Sequence, residues 1–279
     1  MPEGGTTASR TLVGEGREAQ IFAWDEGTVL RLPRPTSRWS QVEHEAVAMR
    51  AAAAGGVPVP QVHGTTTQDG RTGLIMDRVD GPDLITLMGK RPWTVPRAAR
   101  MVGRVQAALH EVIAPSDLPR LRDLARVKIE TADDLPFELA DFALATLNDL
   151  PDGDRLCHGD FHPGNVLIGK QGPAVIDWTN AARGDPAADL ARTRLLLRQG
   201  AVQEYMPAVI KFMMRHMQAV GRGAFFRLYV RAYARARPID ADLVDRWEIV
   251  RAADRVKEEI EDEGPALLEL LERRATAHT

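Results

Sequence analysis

The densest run of chemically active side chains in this 279-residue sequence is Cys157-His158-Gly159-Asp160-Phe161-His162-Pro163-Gly164-Asn165, and twelve residues beyond Asn165 stands Asp177, in Ile176-Asp177-Trp178. Between them lie two strand-like segments, 165–169 (NVLIG) and 173–178 (PAVIDW), joined by the turn Gly169-Lys170-Gln171-Gly172. A hairpin returns the chain to its starting point, so Asn165 and Asp177 are expected to face one site. Two oxygen ligands suit Mg²⁺, which takes one or two carboxylates and completes its shell with waters and substrate phosphates. Asp160 is then free to orient an attacking hydroxyl and accept its proton.

The elements that must position these residues fall into two groups. From Leu12 to Leu32 the sequence reads as strand, Gly turn, strand, Asp-Glu-Gly turn, strand. A helix is predicted from Ser37 to Ala54, capped by Ser37 or Ser40 and ended by Gly55-Gly56, with further strands at 59–64 and 72–79. After Asp80-Gly81-Pro82 the pattern turns helical: 95–112, with Ala98, Met101, Val102, Val105 and Leu109 on one face, then 134–149, 186–199, 203–220, 223–235, 241–262 and a last helix after Gly264-Pro265. The expected architecture is α+β with two lobes: residues 1–80 as an antiparallel β lobe with one helix, and residues 81–279 as a mainly helical lobe with one hairpin.

The spacing His-x-Asp-x-x-x-x-Asn, followed by a strand-end Asp, resembles that of the protein-kinase-like fold. The run HGDFHPGNVLI…VIDWTNAARGDPAADLA is similar to the aminoglycoside phosphotransferase and choline kinase family, the small-molecule kinases of that fold, and the resemblance extends from LVGEGREAQIF to the closing helices. It implies that Asp160 is the catalytic aspartate, that Asn165 and Asp177 hold Mg²⁺, and that the phosphoryl donor is ATP or GTP. His158 is expected to brace the loop, and His162 to do the same or to line the substrate pocket. Asp185 with Pro186 reads as the cap and first residue of a helix, and Asp189 as a group bonding back to the catalytic loop.

In the N-terminal part the resemblance places Gly14 and Gly16 in a turn over the phosphates. Arg31 stands where the family usually carries a phosphate-binding Lys, an exchange that keeps the charge and changes the shape. Glu45 is its expected acidic partner, ahead of Glu43. Adenine is expected among Val13, Val29, Leu167 and Ile176, bonded to the backbone between Met76 and Val79. Gly159 replaces the Arg that precedes the catalytic Asp in many regulated protein kinases. Only five residues separate Trp178 from Gly184, too few for an activation loop or a peptide-docking platform. The acceptor expected is a small hydroxylated molecule: aminoglycoside-like, choline-like, a sugar or an amino-acid alcohol.

Composition supports a globular chain and limits the rival classes. Hydrophobic residues make up 44% and charged ones 27%, so disordered and collagen-like chains are excluded. Of 36 basic residues only five are Lys, and none precedes position 90. Net charge is −3, yet residues 192–237 hold ten basic residues and one acid, while 238–279 hold six basic residues and twelve acids. Either the two runs pack together and neutralise each other, or one lines the pocket: the basic run for an anionic acceptor, or the acidic run (Asp240, Asp242, Asp245, Glu248, Glu258, Glu259, Glu261, Asp262, Glu263) for a cationic one.

The single Cys157 excludes an intramolecular disulfide and a multi-cysteine zinc site, and its setting reads as strand-end packing. No apolar run approaches the ~18 residues of a membrane span, and MPEGGTTASR lacks the regions of a signal peptide. A cytoplasmic monomer or homodimer is expected, with no membrane or nucleic-acid partner. Two rivals stand beside the kinase reading. One is a catalytically weak or inactive nucleotide-binding protein of the same fold, motivated by Arg31. The other is a metallohydrolase using His158, Asp160 and His162, which needs further ligands that the spacing of His44, His63, His110, His216 and His278 does not offer.

Overall fold

In the computed structural model, which describes residues 10–16, 18–34, 40–199, 223–258 and 263–278, side-chain alternation governs the N-terminal part of the chain. Five antiparallel strands, β1 (Leu12–Glu15), β2 (Ala19–Ala23), β3 (Thr28–Pro33), β4 (Val62–Gln68) and β5 (Arg71–Asp77), form one sheet in the order β1-β2-β3-β5-β4. The central β3 is buried on both faces: Leu30 and Leu32 pack with Phe22, Trp24 and Ile75, while Val29, Leu74 and Met76 join the main core with α1 (Ser40–Ala54). The period of two puts Arg31 on the α1 side.

α1 buries Val42, Glu45, Ala46 and Met49, one stripe at helical spacing. It ends as expected at Gly55-Gly56: Gly56 is left-handed at φ 78°, and the Val57 amide donates to the Ala52 carbonyl at 2.9 Å. Its start at Ser40 is described, whereas the alternative cap Ser37 lies outside the described residues. The strand expected at 59–64 begins instead at Val62, because Pro58 and Pro60 have no amide hydrogen to give a ladder.

Helices dominate the rest: α2 (Leu84–Lys90), α3 (Val95–Leu109), α4 (Leu121–Glu130), α5 (Phe137–Asn148), α6 (Pro186–Gln199), α7 (223–236), α8 (Ala241–Val256) and α9 (Gly264–His278). Two were not expected. α2 is short and is capped by Asp83, whose carboxylate accepts from the Thr86 amide at 2.9 Å. α4 is highly charged and buries only Leu121, Ala125 and Ile129 fully. α3 and α8 stop short of the expected 112 and 262, and the helix expected at 203–220 lies outside the described residues.

Two small antiparallel pairs frame the polar loop. The expected hairpin is β7 (Val166–Gly169) with β8 (Gly172–Val175); its second strand stops short of the expected 178 and leaves Asp177 beyond it in a left-handed conformation. The other pair, β6 (Arg155–Cys157) with β9 (Ala182–Gly184), ties the start of the loop to the residues after Asp177. One continuous cluster of buried apolar side chains runs from Val29 and Met76 of the sheet through α3, α6 and α8 to Leu271 of α9. Among the described residues no helix is long and apolar enough to cross a membrane.

Gly103, in the middle of α3, lies where α7 crosses it. A Cβ there would overlap the Tyr229 carbonyl and stand 3.0 Å from the Tyr233 amide nitrogen. Alanine is the better helix former by ~1 kcal/mol. Gly103→Ala is nonetheless expected to destabilise the protein by about 1–3 kcal/mol, the usual cost of overpacking, and to lower the midpoint of thermal denaturation.

Candidate functional site

The polar loop 158–165 is held from below by Asp189, in the first turn of α6. Its fully buried carboxylate accepts the amides of Gly159 at 2.7 Å and His158 at 3.2 Å, together with His110 Nε2 at 3.0 Å and Gln106 Nε2 at 3.3 Å. Burial alone would push this carboxyl up, yet the hydrogen bonds from His110 and the Gly159 amide hold it well below the usual carboxylate range. His110 in turn meets the Tyr233 hydroxyl through Nδ1 at 2.7 Å. Asp185 caps α6, accepting from the Ala187 amide at 2.7 Å ahead of Pro186.

His158 spans the loop. Its Nδ1 accepts from the Asp160 amide at 3.3 Å, and Nε2 donates to the Ile176 carbonyl at 3.1 Å, while burial lowers its pKa and keeps the ring neutral. Both ring nitrogens are spent on backbone, which removes His158 from the ligand set of a metallohydrolase. Among the described residues no group of three or more His, Cys, Asp or Glu side chains is placed to hold a metal ion. Gly159 is left-handed at φ 79°, and a Cβ would run into the Asn180 carbonyl, so no other residue fits without strain. Cys157 is fully buried and its thiol is pushed well up by burial, as befits packing.

Asp160 projects from this braced loop and is partly exposed. Its Oδ1 lies 3.4 Å from Arg192 Nη2 and its Oδ2 3.6 Å from His162 Nε2. His162 Nδ1 accepts from the Gly164 amide at 3.0 Å, so Nε2 carries the hydrogen that faces the carboxylate. Burial works against ionisation of Asp160, but the facing His162 ring and the Arg192 guanidinium overcome it and hold the carboxyl far below its ordinary value. Asn165 Nδ2 donates to the Asp160 carbonyl at 3.0 Å, and the Asn165 carbonyl accepts the Ile176 amide at 3.0 Å. The hairpin thus returns Ile176 and Asp177 to the side of Asn165.

Asp177 is left-handed at φ 63°, an uncommon conformation for a residue with a side chain. Arg31 Nη2 at 3.2 Å and Thr179 Oγ1 at 2.9 Å both address its Oδ1, leaving Oδ2 without a protein donor among the described residues. Arg31 also pairs with Glu45 through Nη1 at 2.8 Å, while Glu43 is exposed. A second link joins α1 to this segment: His44 Nε2 donates to the Ala181 carbonyl at 2.5 Å. His44 was weighed in the sequence only as a possible metal ligand, and nothing local pointed to this contact.

The remaining positions fall along the sheet. Register places Gly14 opposite Ile21, Ile21 opposite Arg31, and Val29 opposite Met76. Gly16 closes a turn onto the Ala19 carbonyl at 2.9 Å, and Arg34 clamps that turn, bonding Glu15 at 2.6 Å and the Gly16 carbonyl at 3.2 Å. The hairpin docks on the connection after β5, with the Ile168 amide on the Pro82 carbonyl at 2.9 Å and a bridge between Leu167 and Asp83. Val79 and Ile176 are half-buried, and Val13 is exposed on the outer strand.

The two oppositely charged runs meet directly where both are described. Arg194 of α6 pairs with Asp245 and Glu248 of α8, each at 2.6 Å, and Arg192 pairs with Glu258 at 2.7 Å. Glu259, Glu261 and Asp262 lie outside the described residues, as does the part of the basic run from 200 to 222.

Residues 9–239 match the family model described as the phosphotransferase enzyme family, APH. The chain belongs to this phosphotransferase family. No curated protein sequence matches it. Its fold is that of the family's solved members. It is similar to an apo structure of a thermostable mutant of aminoglycoside phosphotransferase APH(4)-Ia, at 18% identity and TM-score 0.62, covering 98% of this chain and 96% of that one. It is also similar to APH(2")-IIia, at 19% identity and TM-score 0.59, covering 98% and 94%. A putative fructosamine-3-kinase from Haemophilus somnus 129PT gives 14% identity and TM-score 0.62, covering 95% and 90%. The chain has the antiparallel sheet and mainly helical remainder of the protein-kinase-like fold.

Glu45 makes the site's stability depend on pH. Burial is the largest influence on it and, opposed by Arg31, raises its pKa to about 7. A carboxyl raised in the folded state favours folding fully below its unfolded pKa near 4.5 and loses that contribution as pH rises through 7, roughly 3 kcal/mol across the interval. Thermal denaturation between pH 5 and 8 is expected to show stability falling with pH in the wild type, and a flatter profile in Glu45→Gln, whose amide stands in for the protonated acid.

Proposed function

We propose that the protein is a kinase that moves the γ-phosphoryl group of ATP or GTP to a hydroxyl of a small molecule. The observation that carries this reading is the convergence of Asp160, Asn165 and Asp177 around one hairpin root, with the Arg31–Glu45 pair joined to Asp177. Structures of similar aminoglycoside phosphotransferases hold ADP or AMP-PNP with hygromycin B, and GDP with kanamycin, which supports a nucleotide donor and a hydroxylated acceptor.

In this reading residues 1–80 form the nucleotide-binding lobe and 81–279 the lobe that holds the acceptor. Arg31 binds donor phosphate in place of the usual Lys, and the Gly14–Gly16 turn covers it. Val13, Val29, Leu167 and Ile176 receive the base beside the Met76–Val79 backbone. The open Oδ2 of Asp177 and the side-chain oxygen of Asn165, whose nitrogen is turned toward Asp160, fit Mg²⁺, a cation content with few protein ligands. When bound, Mg²⁺ neutralises charge on the phosphates. Asp160 orients the acceptor hydroxyl and takes its proton as the new O–P bond forms and the bond between the β,γ-bridging oxygen and the γ-phosphorus breaks, releasing the nucleoside diphosphate. The protein works as a cytoplasmic enzyme in this reading.

The test is a panel of aminoglycosides, choline-like alcohols, sugars and amino-acid alcohols with Mg-ATP and Mg-GTP, read as nucleoside diphosphate released. At least one acceptor is expected to turn over. Tight Mg-nucleotide binding without any turnover would instead favour an inactive nucleotide-binding protein. Asp160→Asn is expected to lower kcat by about 10²–10⁴-fold with Mg-ATP binding nearly intact, and Asp177→Ala to abolish metal-dependent nucleotide binding. Equal and mild effects from both would overturn the role assignment. Arg31→Lys should keep part or all of the activity that Arg31→Ala loses.

A further inference from the structure

Arg192 lies three residues after Asp189 on α6, in a run whose basic character was the only thing the sequence showed about it. It is almost fully buried, and its guanidinium meets three carboxylates. Nη2 lies 2.8 and 2.7 Å from the two oxygens of Glu258 and 3.4 Å from Asp160 Oδ1, and Nη1 lies 3.9 Å from Asp254 Oδ1. Nε and Nη1 have no hydrogen-bond partner among the described residues. Burying a guanidinium with donors unsatisfied costs stability, so this arginine is a poor choice if its role is only to hold helices together.

The acids around it point the same way. Glu258 also has Lys128 at 3.2 Å and Arg255 at 2.9 Å, and Asp254 has Arg251 at 2.5 Å. Each would keep a cation if Arg192 were removed. Asp160 would not: among the described residues no other Arg or Lys reaches its carboxylate, and its remaining side-chain partners are His162 and Asn165 Nδ2, the latter 3.5 Å from Oδ2.

We propose that Arg192 is the positioning residue of Asp160. This rests on the reading of Asp160 as the group that receives the acceptor hydroxyl. Arg192 fixes Oδ1 from the α6 side while His162 and Asn165 address Oδ2, so the carboxylate cannot rotate and presents one orientation to the incoming hydroxyl. Glu258, just beyond the end of α8, sets the guanidinium in turn by sharing Nη2. Arg192 acts through Asp160 alone and touches neither donor nor acceptor.

The experiment compares Arg192→Gln and Arg192→Lys with Asp160→Asn and with Arg194→Gln, which removes a comparable α6–α8 ion pair without touching Asp160. The readout is ADP released from Mg-ATP, with the acceptor that turns over in the panel and with water alone, resolved into kcat and KM for Mg-ATP. Misplacing a reacting group by about 1 Å costs about 100-fold. Arg192→Gln is expected to lower kcat by that factor with KM for Mg-ATP changed less than about twofold, Arg192→Lys to recover part of the loss, and Arg194→Gln to leave both constants near wild type. Equal kcat in Arg192→Gln and Arg194→Gln, or a raised KM with unchanged kcat, overturns the proposal. Should Arg192→Gln fail to fold, the same comparison between Arg192→Lys and Arg194→Lys decides. Wild-type turnover in Asp160→Asn would remove the reading of Asp160 itself, whereas an inactive Asp160→Asn beside an unaffected Arg192→Gln would remove only the positioning role.

Discussion

The Asp189 carboxylate lies fully buried at the first turn of α6, and its ionised form persists because two backbone amides, His110 and Gln106 all donate to it. An unpaired charge in that position would be untenable, so the four donors are fixed as firmly as the acceptor. Two of the donors belong to residues 158 and 159, which fixes the direction in which the chain leaves β6 and therefore where Asp160 projects. The left-handed Gly159 and the doubly bonded His158 ring complete the same constraint from within the loop. Arg192 follows Asp189 by three residues, close to one helical turn, so the helix that fixes the loop backbone also brings a guanidinium to the loop's exposed carboxylate.

The sheet is coupled to this loop through charge. Arg31 stands between Glu45 and Asp177, and the neighbouring His44 holds the Ala181 carbonyl, so α1 grips the segment 177–181 at two points. Glu45 sits near its titration midpoint at neutral pH because burial and Arg31 pull it in opposite directions. A lysine in place of Arg31 would present a single nitrogen. The guanidinium can face both acids at once through separate nitrogens, which is a physical reason for arginine at this position.

What could be read from the sequence was local in character. The polar loop, the hairpin turn, the Asp185-Pro186 helix start and the Gly55-Gly56 helix stop are set by neighbours within a few residues and appear where spacing placed them, although the second hairpin strand ends at Val175 rather than 178. Glu45 was separable from Glu43 only through the family resemblance. What escaped depends on distant partners: His44, His110 and Arg192 find theirs 137, 79 and 32 residues away. β6 and β9, three residues each, are too short to show alternation, and α4 hides a narrow apolar stripe among charges. The opposite charge runs allowed three arrangements, and pairing of Arg194 with Asp245 and Glu248 selects mutual neutralisation for the described parts.

The β7–β8 hairpin carries a consequence for how this protein can change. Its strands pair residue for residue from Val166 with Val175 to Gly169 with Gly172, so the spacing of Asn165 and Asp177 is set at its root. The exposed tip, Lys170 and Gln171, contributes nothing to that spacing from a distance of about 13 Å along the strands. Adding one residue to either strand would swap its inward and outward faces. The hairpin therefore has an end that tolerates insertion and an end that does not, and a tether or reporter introduced at the tip leaves Asn165 and Asp177 in register.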